Sequence, residues 1–196
     1  MADGPSTRER LIAAAIDVIR VKGYAAASVN DIAAAAGVTK GSFFHHFATK
    51  EACAREAAVQ WKEQSRADAA SSRATSATPR ERILAYIDFR ISLLAGPVAK
   101  YACYVGTVLH EVHDTHPELA ADIAASLLDQ AAALEPDLAD ALGARHKEAH
   151  DLAIHIEATI QGALLLAKAE RGTNGARASL GHLKSYIELK LQGAKK

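Results

Sequence analysis

An all-α fold is predicted, on three observations. The chain of 196 residues is 49 % hydrophobic but only 5 % aromatic, so its core must come from Ala, Leu, Ile and Val, and alanine and leucine favour helix. Apolar residues recur at spacings of three and four, and no segment shows the period-two β-branched alternation of a strand. Capping and stop residues (Ser, Thr, Gly, Pro) fall at the ends of the periodic segments. A chain of this length holds one good core or two small ones.

Thr7 to Lys22 reads as a first amphipathic helix, with Leu11, Ala14, Ala15, Val18 and Ile19 on one stripe, Thr7 as its cap and Gly23 as its stop. Arg8 and Arg10 fall in its first turn, where the helix dipole disfavours positive charge; a phosphate partner or a merely solvated face would each account for them. Tyr24 follows. Ser28, with Asp31 three residues on, makes a capping pattern for a short helix whose apolar face is Val29, Ile32, Ala33 and Ala36. Gly37 closes that helix, and Val38 is the residue expected to be buried in the turn. Thr39 caps a second short helix, Lys40 to His46, with a small exposed front (Lys40, Gly41, Ser42) and an aromatic back (Phe43, Phe44, Phe47). Thr49 then caps a long helix from Lys50 to about Ala70 that carries Ala54, Ala57, Ala58 and Trp61, with Glu51 suited to its first turn.

Two short helices around a glycine turn make a helix-turn-helix, whose second helix enters the DNA major groove. An ordinary helical hairpin has the same outline, but the string GVTKGSFFHHFATKEA is more specific. It resembles the recognition-helix signature of the tetracycline-repressor (TetR) family of bacterial transcription regulators. Gly37, Val38, Thr39, Gly41, Ser42, Phe43, His46, Phe47, Thr49, Lys50 and Glu51 all fit that pattern. Phe44 stands where tyrosine is usual, which removes a phenol contact to phosphate, and His45 stands where tyrosine or arginine is common.

Beyond the long helix, AASSRATSAT from Ala69 to Thr78 reads as a loop. Pro79 begins a helix with Ile83, Ile87, Ile91 and Leu94 along one face, closed by Gly96-Pro97. YACYVGTVLHEVHDTH is ended by Pro117, which opens a helix expected to stop at Pro136. Asp137 to Gly143 is a short link to Arg145–Glu170, where Leu152, Ile156, Ile160, Ala163, Leu164 and Ala167 form a broad apolar stripe. After a turn at Arg171–Gly175, the last helix, Ala176 to Leu191, aligns Leu180, Leu183, Ile187 and Leu191. About nine helices are expected in all, as a helix-turn-helix domain over 1–49 and an effector-binding and dimerisation domain over 50–196.

The formal net charge is zero, so DNA binding has to rest on a local patch and not on bulk charge. Cys53 and Cys103 make neither a disulfide framework nor a metal cluster. MADGPSTRER lacks the apolar core of a signal peptide, and the longest apolar run, Gly162 to Ala167, is far shorter than a bilayer-spanning helix. A cytoplasmic protein is expected. No Gly-rich phosphate loop, nucleophile elbow or paired-carboxylate arrangement suggests an enzyme, and no cofactor is implied.

The resemblance implies double-stranded DNA with a palindromic operator as one partner, a second copy of the chain as another, and a small-molecule effector that releases a repressor. The implied DNA contacts are Arg8, Ser28, Thr39, Lys40, Gly41, Ser42, Phe44, His45 and His46, with Lys50 on phosphate. The implied effector-pocket residues are Trp61, Tyr86, Phe89, Arg90, Tyr101, Cys103, Tyr104, Thr107 and His110. The helix from Tyr101 to His116 looks most like the branch of the family that answers small organic compounds and reactive electrophiles. The ten stripe residues of the last two helices would form a four-helix dimer interface, unless both stripes are intramolecular core.

Three other readings stay open at the level of sequence. Cys103 would sense oxidants or electrophiles if its thiol were activated, for instance by His110 two turns further on. His110-x-x-His113-x-x-His116 and His146-x-x-x-His150 have spacings that suit a metal-responsive regulator or a metalloenzyme, although HEVH is not the zinc-protease motif. A DNA-binding module without a sensor would leave most of the chain beyond the helix-turn-helix without a task.

Overall fold

Ser6, one residue before the expected cap, starts α1 (Thr7–Lys22): its side chain accepts from the backbone N–H of Glu9, and the Glu9 carboxylate accepts from the Ser6 N–H. The computed structural model describes residues 4–143 and 145–193. Within α1, Leu11, Ile12, Ala15, Ile16 and Ile19 are buried, whereas Val18 is half-buried. The α2 helix (Val29–Ala35) is held by the reciprocal Ser28–Asp31 capping box, and α3 (Lys40–His46) by Thr39, whose Oγ1 accepts from Ser42 N at 3.1 Å. Between them Gly37 takes φ +68, a left-handed conformation that side-chain-bearing residues adopt at a cost. Nothing stands within 4 Å of where its Cβ would be, so conformation and not space requires glycine there. Val38 is half-buried.

Thr49 Oγ1 accepts from Ala52 N at 3.0 Å and opens α4 (Lys50–Arg73). This helix overruns the expected loop, because Ser71 and Ser72 stay helical and Arg73 turns back to donate to Ala69 O. Next come α5 (Pro79–Leu93), with a Thr78–Glu81 capping box, then α6 (Val98–Tyr101), α7 (Tyr104–Val112) and α8 (Pro117–Ala132). Pro136 was expected to end a helix. It lies instead in the first turn of a separate one, α9 (Glu135–Ala141), where its missing N–H would have had no intrahelical acceptor. The last two helices are α10 (His146–Ala169) and α11 (Asn174–Gly193). In the turn between them the left-handed residue is Arg171, at φ 50, and not Gly172. The described residues thus form eleven helices and no strand; α6 and α9 are the additions to the expected set.

The helices pack as two compact units, Met1–Gln64 with Ala102–Leu127, and Ser65–Tyr101 with Leu128–Lys196. In the first, α1 packs on α2 and on α7, and α2 on α3. In the second, α10 packs on α11 and α9, and α5 on both α9 and α11. Asp137 on α9 ties that second group, accepting from Arg82 Nε at 2.8 Å and from Arg73 Nη1 at 3.3 Å. By length and composition α10, a 24-residue helix whose most apolar 18-residue window has a mean hydropathy of 1.2, could cross a membrane, but nine of its residues are buried inside the protein as in any core helix.

Ile156 is fully buried on α10. Ile156→Ala is therefore expected to destabilise the protein by about 2–5 kcal/mol, read as a lower urea midpoint; a loss below about 1 kcal/mol would mean that this stripe is not core. The carboxyl of Asp31 is held well below the ordinary range by its hydrogen bond from Lys22 and then by those from Ser28. Its contribution should be complete above the ordinary carboxylate range and fade as pH falls through the depressed folded-state value, which an NMR titration of Asp31 would follow.

Candidate nucleic-acid interface and effector site

The α3 helix divides sharply between its faces. Phe43 is 0 % exposed and Phe47 3 %, and their rings stand 5.6 Å apart in the core of the first unit. Phe44, one residue from Phe43, is 48 % exposed, so of the three aromatics placed on the back of α3 one belongs to its front. Thr39, Lys40, Gly41 and His45 are exposed, and Ser42 and His46 half-buried. Lys40 Nζ lies 5.9 Å from the centre of the Phe44 ring, and the rings of His45 and His46 meet edge-on at 5.1 Å. A cationic head, two imidazoles and one open aromatic ring thus share a surface that can reach phosphate and base edges. An added Cβ at Gly41 would meet only Thr39 Oγ1, at an ordinary 3.7 Å, so no neighbour inside the chain requires glycine there.

Three expected DNA contacts are committed within the chain. Lys50, expected on phosphate, is half-buried, and its Nζ donates to Tyr24 O at 2.7 Å and Ala27 O at 3.0 Å while sitting 4.2 Å from the Tyr24 ring centre. Burial lowers its pKa against the opposing pull of Glu111. Its ammonium therefore holds the α1–α2 connection and does not project outward. Ser28 Oγ donates to Asp31 Oδ2 at 2.8 Å inside its own capping box. Arg8 pairs with Glu56 and lies 5.1 Å from the Phe47 ring centre, but its side chain remains about half exposed.

Two side chains that sequence reasoning passed over fix α7 and the residues before it within the same unit. Arg20, 7 % exposed, donates from Nε to Ala102 O at 2.6 Å and lies 4.5 Å from the Trp61 ring centre. Glu111 Oε2 accepts from Ala25 N at 2.6 Å, and an added side chain at Gly23 would run into the Glu111 carboxylate. Arg20 falls four residues after Ile16 on the buried stripe of α1, so a charge in an apolar register was the available signal. Glu111 gave none.

The expected effector residues divide between the two units. In the first, Tyr104 is fully buried and its Oη donates to Ala54 O at 2.9 Å; burial pushes its phenol pKa up. The half-buried Trp61 has its ring centre 6.4 Å from that of Tyr104, and its buried Nε1 has no hydrogen-bond acceptor. Thr107 is half-buried and His110 exposed. Cys103 is 4 % exposed and caps α7, accepting from Gly106 N at 3.5 Å, whereas a redox-sensing thiol needs access. Burial pushes the Cys53 thiol up to about 12. In the second unit Tyr86, Arg90 and Tyr101 are buried and Phe89 half-buried, and Tyr86 donates to Glu157.

Among the described residues no three or more His, Cys, Asp or Glu side chains converge as a metal site. His113 Nε2 meets Asp114, His116 meets Thr115, and His150 Nδ1 meets Glu135 at 2.8 Å.

The ten stripe residues expected at a dimer interface all face inward within the single chain. Leu152, Ile156, Ile160, Ala163, Leu164, Ala167, Leu180, Leu183, Ile187 and Leu191 are each at most 6 % exposed in the single chain, because α10 and α11 turn those faces on one another and on α5 and α9. The apolar side chains that remain outside are Ile154, Leu165 and Leu166 on α10, and Tyr186 and Leu189 on α11.

Comparison with known proteins places these features in context. A family model described as bacterial regulatory proteins, tetR family, matches residues 11–57. A model described as the C-terminal domain of LmrA/YxaF-like transcriptional regulators matches residues 79–176. The HTH-type transcriptional regulator CymR of Pseudomonas putida is 52 % identical over 44 residues, which is 22 % of this chain and 22 % of that protein. An HTH-type transcriptional regulator in the lacX 3′ region of Lactococcus lactis subsp. lactis is 27 % identical over 186 residues, 93 % of this chain and 94 % of the other. The crystal structure of a TetR transcriptional regulator from Chloroflexus aurantiacus J-10-FL shares 28 % identity at a TM-score of 0.82, covering 93 % of this chain and 94 % of that one.

The different settings of the two lysines make a direct comparison. Lys40→Met should lower the slope of log affinity against log salt for DNA by about 0.9, one phosphate contact. Lys50→Met should leave that slope nearly unchanged while costing about 1.5–3 kcal/mol of stability; equal effects on the slope would restore Lys50 as a phosphate contact.

Proposed function

Because the chain belongs to the tetR family of bacterial regulatory proteins and is a DNA-binding transcriptional regulator, we propose that it is a cytoplasmic homodimeric repressor released from a palindromic operator by a small-molecule inducer. The observation that carries this reading is the outward face of α3, where Lys40, Phe44 and His45 are exposed while Phe43 and Phe47 fix the helix from behind. In this reading residues 1–49 bind DNA and residues 50–196 bind the effector and the second copy. Lys40 and His45 face base edges or phosphate, and Thr39, Ser42 and His46 border them. Gly41 lets the backbone approach the duplex, Phe44 presses on sugar or a thymine methyl, and Arg8 exchanges Glu56 for phosphate.

The exposed apolar side chains of α10 and α11 support the dimer. Ile154, Leu165 and Leu166 with Tyr186 and Leu189 offer a self-complementary patch of the kind that two-fold partners share, and Gly162, with nothing within 4 Å of its Cβ position, leaves room for close approach. Each α3 would then read one half of the operator, with half-site spacing fixed by the dimer. An effector acts only through unequal affinity for the DNA-competent and DNA-incompetent states. Arg20 and Glu111 are the natural transmitters, since a shift of α7 would pull on Ala25 and on the residues that Lys50 also holds.

Fluorescence anisotropy with DNA flanking the gene tests the reading. Tight binding to one palindromic fragment that survives moderate salt is expected, whereas equal binding to every fragment that collapses with salt would reduce it to non-specific phosphate attraction. The double variant Leu165→Glu/Leu189→Glu should sediment as a monomer and bind the operator about 10²-fold more weakly. An unchanged dimer would put the interface elsewhere.

A further inference from the structure

The middle of α10 carries a charge where its register calls for an apolar residue. Glu157 lies beside Ile156, four residues after Ala153 and seven before Leu164, and is 4 % exposed. Taking a carboxylate out of water is costly unless its oxygens find partners. Tyr86 of α5 donates to Oε1, but Oε2 is buried with no hydrogen-bond partner. One turn further along α10, on the same face, Gln161 has a buried Nε2 that also lacks a partner. Native proteins leave few buried polar atoms unsatisfied, and two on one helix face of one unit call for an account. A purely structural pair at this i, i+4 spacing would close on itself, the Gln161 amide donating to the carboxylate; here neither atom is used in that way. Arg90, one turn beyond Tyr86 on α5, has interactions of its own.

We infer that Glu157, Tyr86 and Gln161 form the polar subsite that selects the effector, and that the effector is an apolar molecule bearing a protonated amine with an oxygen acceptor close by. The inference rests on the effector-binding reading above. An ammonium group supplies the N–H donor that Glu157 Oε2 lacks, as a charge-assisted hydrogen bond stronger than a neutral one. A neighbouring hydroxyl or carbonyl oxygen answers Gln161 Nε2. Tyr86 holds the carboxylate by its other oxygen, so its orientation is set before the ligand arrives. A carboxylate ligand would bring a second negative charge against Glu157 and is rejected for that reason.

Three matched probes test this on the full chain without DNA. They are 2-amino-1-phenylethanol, 1-phenyl-1,2-ethanediol and mandelate, which keep one phenylcarbinol and change only the terminal group. Isothermal titration calorimetry should show the amine binding about tenfold or more tighter than the diol, and no binding of mandelate. Glu157→Gln, which still offers Tyr86 an acceptor, should bring amine and diol within about twofold of one another. Far-UV circular dichroism checks its fold, and Gln161→Leu, which keeps the carboxylate, serves as a second variant that should weaken the amine several-fold. No binding of the amine, equal binding of amine and diol, or a preference that survives both substitutions would overturn the inference. Operator binding by the ligand-free wild-type protein is measured separately: its absence counts against the regulator reading, while normal operator binding without amine selectivity overturns this inference alone.

Discussion

Burial of Phe43 and Phe47 is the interaction on which the exposed face of α3 depends. The α3 helix has seven residues, and a helix of that length does not persist by itself in water, because nucleation costs more than so few hydrogen bonds return. What makes it helical is the seating of two aromatic rings in the core of the first unit, where α3 packs on α2, together with the Thr39 cap. Once those rings are fixed, the 3.6-residue period leaves Lys40, Phe44 and His45 outside with no further choice. The turn before α3 is equally constrained, since Gly37 must be left-handed for α2 and α3 to meet at all.

The same unit shows how a charge can act as scaffold. Lys50, at the first position of α4, gathers two carbonyls of the α1–α2 connection, and Glu111 of α7 takes an N–H from the same connection. Carbonyl and amide groups that would otherwise be unsatisfied at a helix end and in a turn are thereby paired. These contacts join helices distant in sequence, and they explain why a lysine at a position that fits a family signature is half-buried against the chain's own carbonyls.

Glu157 and Arg20 present the converse case, charges set into stripes that are otherwise apolar. Arg20 is balanced by a carbonyl and an aromatic face, so its burial is accounted for locally. Glu157 is only half accounted for, by Tyr86. The contrast between a satisfied and an unsatisfied buried charge separates scaffold from recognition in this protein, and it is visible only when each donor and acceptor is followed to its partner.

Much of the architecture was legible in the sequence because its causes are local. The Ser28–Asp31 box, Gly37 and the Thr39 cap act within four residues, so the helix-turn-helix and its boundaries followed from spacing. The resemblance of GVTKGSFFHHFATKEA extended that to a family. Errors arose where a local signal has two outcomes: Pro136 starts a helix as readily as it ends one, and Ser71 and Ser72 are held helical by the turns around them. The apolar stripes of α10 and α11 were equally plain, but a stripe states only that something covers it. Tertiary packing decided that Leu152, Ile156, Leu183 and Ile187 are covered by the chain's own helices, and that Ile154, Leu165 and Leu189 are the ones left outside. Sequence period fixes which residues share a face; the occupant of that face is a long-range contact, and no local rule contains it.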